Sequence, residues 1–467
     1  MAFPFGLDRL LARVGLVPAR RSYDGGAGGR RWRGGGTMPN QNTAALAARG
    51  TMASRARYLV ANNAMAAAGV EAWVSSLIGT GIRPTSTHPD ASWRAAAARA
   101  WDAWTDRADA DGLVDGYGIQ ALMVRRMIVD GEAFAVVGLT DHGATVRVLD
   151  AEQVDATVTR ELDGGARIVQ GVELDATGRR VAYHVLRDRP GFGLRIDHVR
   201  VPAEDMVHLL RIDVPGQIRG VSWFAPILLR LRELDEAHDA QVVRQKLAAM
   251  LAGFIVSPDG QVPFDGEVAA GVLDGGMEPG TIKILRPGED IRFSDPAKIG
   301  QEAIDFLKIT AREIAAGLGV PASVLTGDYS DANYSSLRAS IVEFRRRVEA
   351  IQHNVIVFQM LRPLWRRVLA TEILAGRLSA IGFERDPEAY VGARWITPRQ
   401  EWVDPMKDAQ AEVLAIQNGL MSRRAAVEAR GLAVEDLDEE IAADQARADA
   451  LGLRLGSAPA PKEETAS

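Results

Sequence analysis

The residues that come nearest to a recognisable reactive site are Asp106, Asp109, Asp111 and Gly112, whose spacing suggests a calcium-binding loop. Setting Asp109, Asp111 and Gly112 at the third, fifth and sixth positions of such a loop puts Arg107 first and Gly118 twelfth, where carboxylates must reach the cation. The segment therefore reads as a solvated helix end. Other chemistries fare no better. The chain has no Gly-Lys pair, which excludes a Walker A phosphate loop, and neither an HExxH nor a G-x-S-x-G motif. Its histidines (His88, His142, His184, His198, His208, His238 and His353) include no pair at helical ligand spacing. His208 and His238 lie in apolar-flanked segments and read as structural. Cysteine is absent, which excludes disulfides, thiolate metal sites and a cysteine nucleophile, and fits a reducing compartment. Catalysis is unsupported, and no cofactor or metal is expected.

What stands out instead is a short polar loop between long helices. Gly327–Tyr334 contains Asp328, Tyr329, Ser330, Asp331, Asn333 and Tyr334 and no base. Before it, Ile304, Leu307, Ala311, Ile314 and Leu318 repeat at the spacing of one apolar helix face. After it, Leu337, Ile341, Phe344, Val348, Ile351, Val355, Phe358, Leu361 and Trp365 keep that rhythm for roughly eight turns. Pro363 should kink or restart this helix. A helix of that length suits a part that spans a large assembly better than a small enzyme domain.

The remaining chain predicts an α+β body. Residues 51–79 read as one helix, 90–107 as a second with Trp93, Trp101 and Trp104 on one face, and 118–130 as a third. Glu132–Leu139, Thr145–Leu149, Ile168–Leu174 and Val181–Val185 alternate as strands between Asp, Gly and His turns. A helix of about 25 residues follows within Gly220–Phe254, with Ser222 as N-cap and Pro226 in the first turn. Short strands come next, Thr281–Leu285 and Asp290–Phe293 being clearest, and a helix over 299–318.

With 467 residues, 47% of them hydrophobic, the chain can build two or three domains with buried cores. No apolar run approaches a membrane span, and charges interrupt the apolar core of the N-terminus, so a soluble, cytoplasmically made protein is expected. The net charge of -6 averages unlike ends. Residues 1–57 hold ten Arg against Asp8 and Asp24, whereas 432–467 hold nine acids against Arg447, Arg454 and Lys462. Both ends read as disordered tails, the basic Arg-Gly arm being alternatively a handle for nucleic acid or an acidic protein.

Several strings resemble the lambda-type phage portal proteins. They are VPAEDMVHLLRIDVPGQIRGVSWFAPILLRLR (Val201–Arg232), EPGTIKILRPGEDIRFSDP (Glu278–Pro296) and GLGVPASVLTGDYSDANYSSLRASIVEFRRR (Gly317–Arg347). RYLVANNAMAAAGVEAWVSSLIGTGIRP near the start and EWVDPMKDAQAEVLAIQNGLMSRRAAVEARG near the end also match, so the likeness spans about residues 45–455. The Arg-Gly arm before residue 40 has no counterpart in it.

The resemblance implies a ring, usually of twelve subunits, at one capsid vertex, through which double-stranded DNA is packaged and ejected. It implies a basic flexible arm (1–50), an α+β wing (51–222), stem helices (223–253 and 299–318) and a clip (254–298). A tunnel loop (319–334), a long kinked wing helix with its return segment (335–403), a helical crown (404–454) and a disordered tail (455–467) complete it. Implied partners are the terminase large subunit, a head-completion adaptor, and capsid and scaffold proteins, with no membrane. The location is the virion, after assembly in the bacterial cytoplasm. The acidic loop would then be a non-adhesive sleeve for DNA, since every phosphate neutralised by a base adds affinity. Tyr329, Ser330, Asn333, Tyr334 and Ser335 could still touch phosphates weakly. Gln301, Asp305, Lys308 and Arg312 form a polar stripe that is either an ordinary solvated face or a channel lining. Arg345, Arg346 and Arg347 would make intersubunit salt bridges or touch DNA. Two other readings stay open: a neck adaptor ring, and an enzyme such as a metal-dependent nuclease.

Overall fold

The computed structural model describes residues 38, 40–191, 197–249, 300–330, 333–399 and 405–453, and four short strands within 253–293. The Arg-Gly arm, the expected strand Thr281–Leu285 and the C-terminal tail lie outside these residues. The chain forms two units, 1–47 and 48–467, and the described part of the first is mainly the opening of α1.

Helix α1 (Gln41–Asn62) begins inside the arm expected to be flexible, and the single helix expected over 51–79 is two helices. The break falls at Asn63, whose side chain accepts from Ala66 N at 2.9 Å and so caps α2 (Ala64–Leu77). An asparagine competes with the helix for its own backbone donors, and here it wins. Strand β1 (Arg83–Ser86) leads to α3 (Ala91–Thr105), capped by Asp90, and then α4 (Gly116–Asp130), capped by Asp115. Trp93, Trp101 and Trp104 are all buried, as their spacing predicts, with Trp101 and Trp104 centroids 4.6 Å apart. Trp104 Nε1 donates to Ala144 O at 2.9 Å, satisfying its polar edge inside the core.

Two antiparallel sheets follow. One has the order β3-β2-β9, from β2 (Glu132–Thr140), β3 (Gly143–Leu149) and β9 (Met206–Leu210). The other runs β4-β5-β6-β7-β8, from β4 (Arg160–Glu161), β5 (Arg167–Val169), β6 (Val172–Leu174), β7 (Arg180–Leu186) and β8 (His198–Pro202). The strand expected over Ile168–Leu174 is thus a hairpin. Gln170 and Gly171 both take positive φ and turn the chain back.

Helix α5 (Leu228–Ala249) starts later than expected, because Ser222 caps a separate turn, its Oγ accepting from Phe224 N at 3.2 Å. His238 lies exposed on α5 and is no core residue. The strands β10 (Gly253–Val256) and β13 (Asp290–Phe293) pair antiparallel, as do β11 (Glu267–Ala269) and β12 (Val272–Asp274). Helix α6 (Gln301–Leu318) packs against α5. The loop expected over 319–334 opens with a helical turn, α7 (Ala322–Thr326). The long helix runs as α8 (Tyr334–Ile351), a π-helical stretch over Gln352–Leu361, and α9 (Arg362–Leu374). Pro363 therefore restarts the helix after a widened turn, since it lacks an N–H and its ring crowds the preceding turn. The chain closes with α10 (Pro387–Val391), β14 (Ala393–Ile396) paired to β1, and α11 (Pro405–Gln417), α12 (Arg423–Glu428) and α13 (Val434–Leu451).

A buried charge cluster ties the start of β2 to β9, α1 and the segment before α5. Glu132, fully buried at the start of β2, accepts from Arg219 Nε at 2.8 Å, Gly220 N at 2.8 Å and His208 Nε2 at 3.1 Å, and from Arg49 Nη2. Arg219 also donates to the carbonyls of Ala151, Val154 and Gln170. Burial alone would raise the Glu132 carboxyl, but Arg219, Arg49 and the His208 hydrogen bond hold it well below the usual carboxylate range. Burial pushes His208 down to about 4 from its ordinary 6.5, against the pull of Glu132. His208 is accordingly neutral in the fold, stacked on Phe134 at 4.2 Å, with Tyr183 OH 3.3 Å from its Nδ1.

A pH dependence follows. A histidine held below its unfolded value binds fewer protons when folded, so its contribution is whole above pH 6.5 and lost as pH falls toward 4. The carboxylates held low keep their contribution above their unfolded values, 4.5 for Glu132, so they change stability little above about pH 5. Urea midpoints measured from about pH 7 to 5 should fall for the wild type, and fall less steeply for His208→Gln. Equal slopes in the two proteins would show that His208 is not the group responsible.

Candidate functional site

The polar loop is built on a tightly fitted base. Gly319, with φ of 82°, ends α6, and Trp73 Nε1 donates to Leu318 O at 3.1 Å. At Gly317 a Cβ would stand 2.4 Å from Ile227, so only glycine lets α6 approach so closely there. Leu318 and Leu325 pack over Gly69 of α2. Gly327, at φ of 68°, then turns the chain off α7 into the loop.

Beyond Gly327 the local hydrogen bonds are specific. Asp328 Oδ1 accepts from Ser330 N at 2.9 Å, and Asp328 N donates to Thr326 Oγ1 at 3.2 Å. Asp328 Oδ2 lies 3.9 Å from Lys308 Nζ on α6. The hydrogen bonds from Ser330, with Lys308 and Arg312 nearby, hold the Asp328 carboxyl below its ordinary range. Lys308, Arg312, Ser323, Thr326 and Asp328 line a cavity of about 190 Å³ between α6 and the loop. Tyr329 is 54% exposed and Ser330 is exposed. Asp331 lies outside the described residues, and the side chain of Tyr334 is not described. Asn333 is the N-cap of α8. Its Oδ1 accepts from Ser336 N at 2.8 Å, and Asn333 N donates to Ser336 Oγ at 3.2 Å. A cap of this kind contributes about 1 kcal/mol to the helix, so this amide already has a structural task.

The polar stripe of α6 is one face. Gln301 Nε2 donates to Asp305 Oδ1 at 2.9 Å, and Gln301, Asp305 and Arg312 are exposed while Lys308 is half-buried. The structure brings the lower part of the stripe, Lys308 and Arg312, together with the loop acid Asp328. The arginine triplet does not act as a unit. Arg347 pairs with Glu343 and reaches Gly319 O at 3.4 Å, Arg346 is exposed, and Arg345 lines a groove of about 450 Å³ with Arg338 and Asp408 between α8 and α11. Within the single chain Arg347 therefore has Glu343 as a partner.

The acidic run at Asp106–Gly112 is a turn. Asp109 accepts from Asp111 N at 3.1 Å, Leu113 N at 2.8 Å and Val114 N at 3.2 Å, and Asp111 pairs with Arg147 and Arg189. Among the described residues no group of three or more His, Asp or Glu is placed to hold a metal, and no helix is long and apolar enough to cross a membrane. Sequence reasoning missed Ser323 and Thr326, which wall the cavity. Their only signal was a Ser and a Thr flanking the last turn before Gly327.

Residues 26–352 match the family model of phage portal proteins of the lambda family. The chain is 24% identical over 326 residues to a probable portal protein of Halomonas phage phiHAP-1, covering 67% of this chain and 61% of that one. It is 24% identical over 318 residues to portal protein B of Escherichia phage lambda, covering 59% and 57%. The chain thus spans about three fifths of the length of the curated relatives it matches. Among solved structures, the neck of a native gene transfer agent particle computed with C12 symmetry aligns with a TM-score of 0.43 at 15% identity, over 84% of this chain and 92% of that one. An HK97 family portal protein from Corynebacterium diphtheriae aligns with a TM-score of 0.29 at 12% identity, over 62% and 84%.

Proposed function

The chain belongs to the lambda family of phage portal proteins, and from that footing we propose that its copies close into a ring of about twelve at one capsid vertex. Double-stranded DNA passes through the central hole during packaging and ejection. A closed ring needs two different, complementary faces on each subunit. The observation that carries the reading is the α5–α6 pair, which leaves Leu229, Val242, Val243, Ile304, Phe306 and Ile309 exposed on a single chain, Phe306 at 61%. So much large apolar surface on one helix pair calls for a neighbour. The stripe of Gln301, Asp305, Lys308 and Arg312 supplies a polar face, with the Asp328 loop at its C-terminal end.

In this reading residues 223–253 and 299–318, which contain α5 and α6, are the stem, residues 319–334 are the tunnel loop, residues 254–298 are the clip, and residues 404–454, which contain α11–α13, form the crown. The clip meets the terminase large subunit during packaging and a head-completion adaptor afterwards. Capsid and scaffold proteins surround the wing. The role is that of a conduit without catalysis, in the virion or the particle of a gene transfer agent, after assembly in the bacterial cytoplasm.

Negative-stain microscopy of the purified protein tests this. Rings with a central hole as wide as duplex DNA or wider are expected, and a compact monomer at all concentrations would overturn it. Deleting residues 328–333 should spare the rings and impair packaging, measured as nuclease-protected DNA. Full packaging by the deleted ring would remove the loop from the proposal.

A further inference from the structure

We infer that Asp328 is a built-in counter-anion for the channel wall, standing against Lys308 and Arg312 where a DNA phosphate would otherwise sit. This rests on the channel reading above. Lys308 and Arg312 are the bases of α6, one turn apart and so on one face. Both line the same cavity as Asp328, whose Oδ2 lies 3.9 Å from Lys308 Nζ. The carboxylate is held in place. Its Oδ1 is tied to Ser330 N, its backbone N to Thr326 Oγ1, and Gly327 sets the turn with a φ that favours glycine.

Repeated around a ring, two such bases per subunit would make a band of positive charge beside the duplex. Each phosphate they neutralise adds affinity and makes it more salt-sensitive, with a slope of about -0.9 per contact. A grip of that kind would stall a sliding polymer. A carboxylate beside the bases lowers the field that a phosphate meets. Because the pair is half exposed and loosely spaced, each copy has a small effect, and the effect on DNA is the sum over the copies around the ring. The wall then keeps DNA centred without holding it.

The test uses purified rings and a short fluorescent duplex, with binding measured between about 50 and 200 mM salt. Asp328→Asn keeps the oxygen that accepts from Ser330 and removes the charge. It should bind the duplex about tenfold more tightly at low salt, with the slope of log affinity against log salt steeper by about one or more. Adding Lys308→Gln and Arg312→Gln to Asp328→Asn should return both quantities to the wild-type values. If Asp328→Asn does not form rings, Asp328→Ser, which also offers Ser330 an oxygen, takes its place. Rings whose isotherms overlay the wild type at every salt, or a gain that survives loss of both bases, would overturn the inference. Failure of the channel reading would look different, since micrographs would then show no ring at all.

Discussion

Glu132→Ala should destabilise the protein by about 3–5 kcal/mol, the largest effect expected from any single carboxylate in the chain. Truncation would leave the Arg219 guanidinium fully buried with only carbonyl oxygens around it, and would strip an acceptor from Arg49, His208 and Gly220 N. A buried charge that loses its partner retains its desolvation penalty, which is why breaking such a pair costs more than the pair itself is worth. Glu132→Gln keeps the shape and one carbonyl acceptor and should fall between wild type and alanine. An exposed pair gives the scale. Arg232 and Glu236 stand 2.9 Å apart on α5, and Glu236→Ala should change stability by no more than about 0.5 kcal/mol. Urea unfolding followed by tryptophan fluorescence measures all three. A Glu132→Ala midpoint no lower than that of Glu236→Ala would show that the cluster does not hold these elements together.

Gly220→Ala should cost on the order of 3 kcal/mol, through sterics alone. Here the chain leading to α5 crosses the turn between α4 and β2. A Cβ on Gly220 would stand 2.1 Å from Gly131 O and 2.5 Å from Gly131 C. Backbone atoms cannot move aside as a flexible side chain does, so the two segments would have to separate. Gly131 meets the same seam from the other side. Its φ of 92° and a Cβ 2.2 Å from Val221 C make alanine doubly unfavourable there. Because one contact is broken in either case, the double variant should lose much less than the sum of the singles. Additive losses in urea unfolding would contradict a shared seam. Separation at this point would also displace Gly220 N from Glu132, linking the crossing to the charge cluster.

The helical framework was legible from the sequence because an apolar face repeats every three or four residues whatever the helix later meets. Trp93, Trp101 and Trp104, and Ala311, Ile314 and Leu318, are buried as their spacing requires. The polar loop before α8 and the restart at Pro363 were legible for the same local reason, since Gly, Asn and Pro act on their own backbone. Five ordered strings were enough to indicate the family. The break at Asn63, the hairpin at Gln170–Gly171 and the short helix α7 were harder to see, for each is a choice between two locally allowed backbones that packing decides.

The pairings belonged to the tertiary structure. Nothing near Glu132 in the chain announces Arg219 or Arg49 as its partners, and a charged residue at the head of a strand reads first as solvated. Likewise Asp328 and Lys308 are twenty positions apart, and the Gly319 and Gly327 turns bring the acid back over α6. The sequence by itself determined the long helices, the apolar faces of those helices and the family to which the chain belongs. Which charges meet, and so whether the loop's acid is a free anion or a partner for the bases of α6, was decided by tertiary structure. Periodicity and turn chemistry act over a few residues, whereas an ion pair depends on every loop closure between its two members.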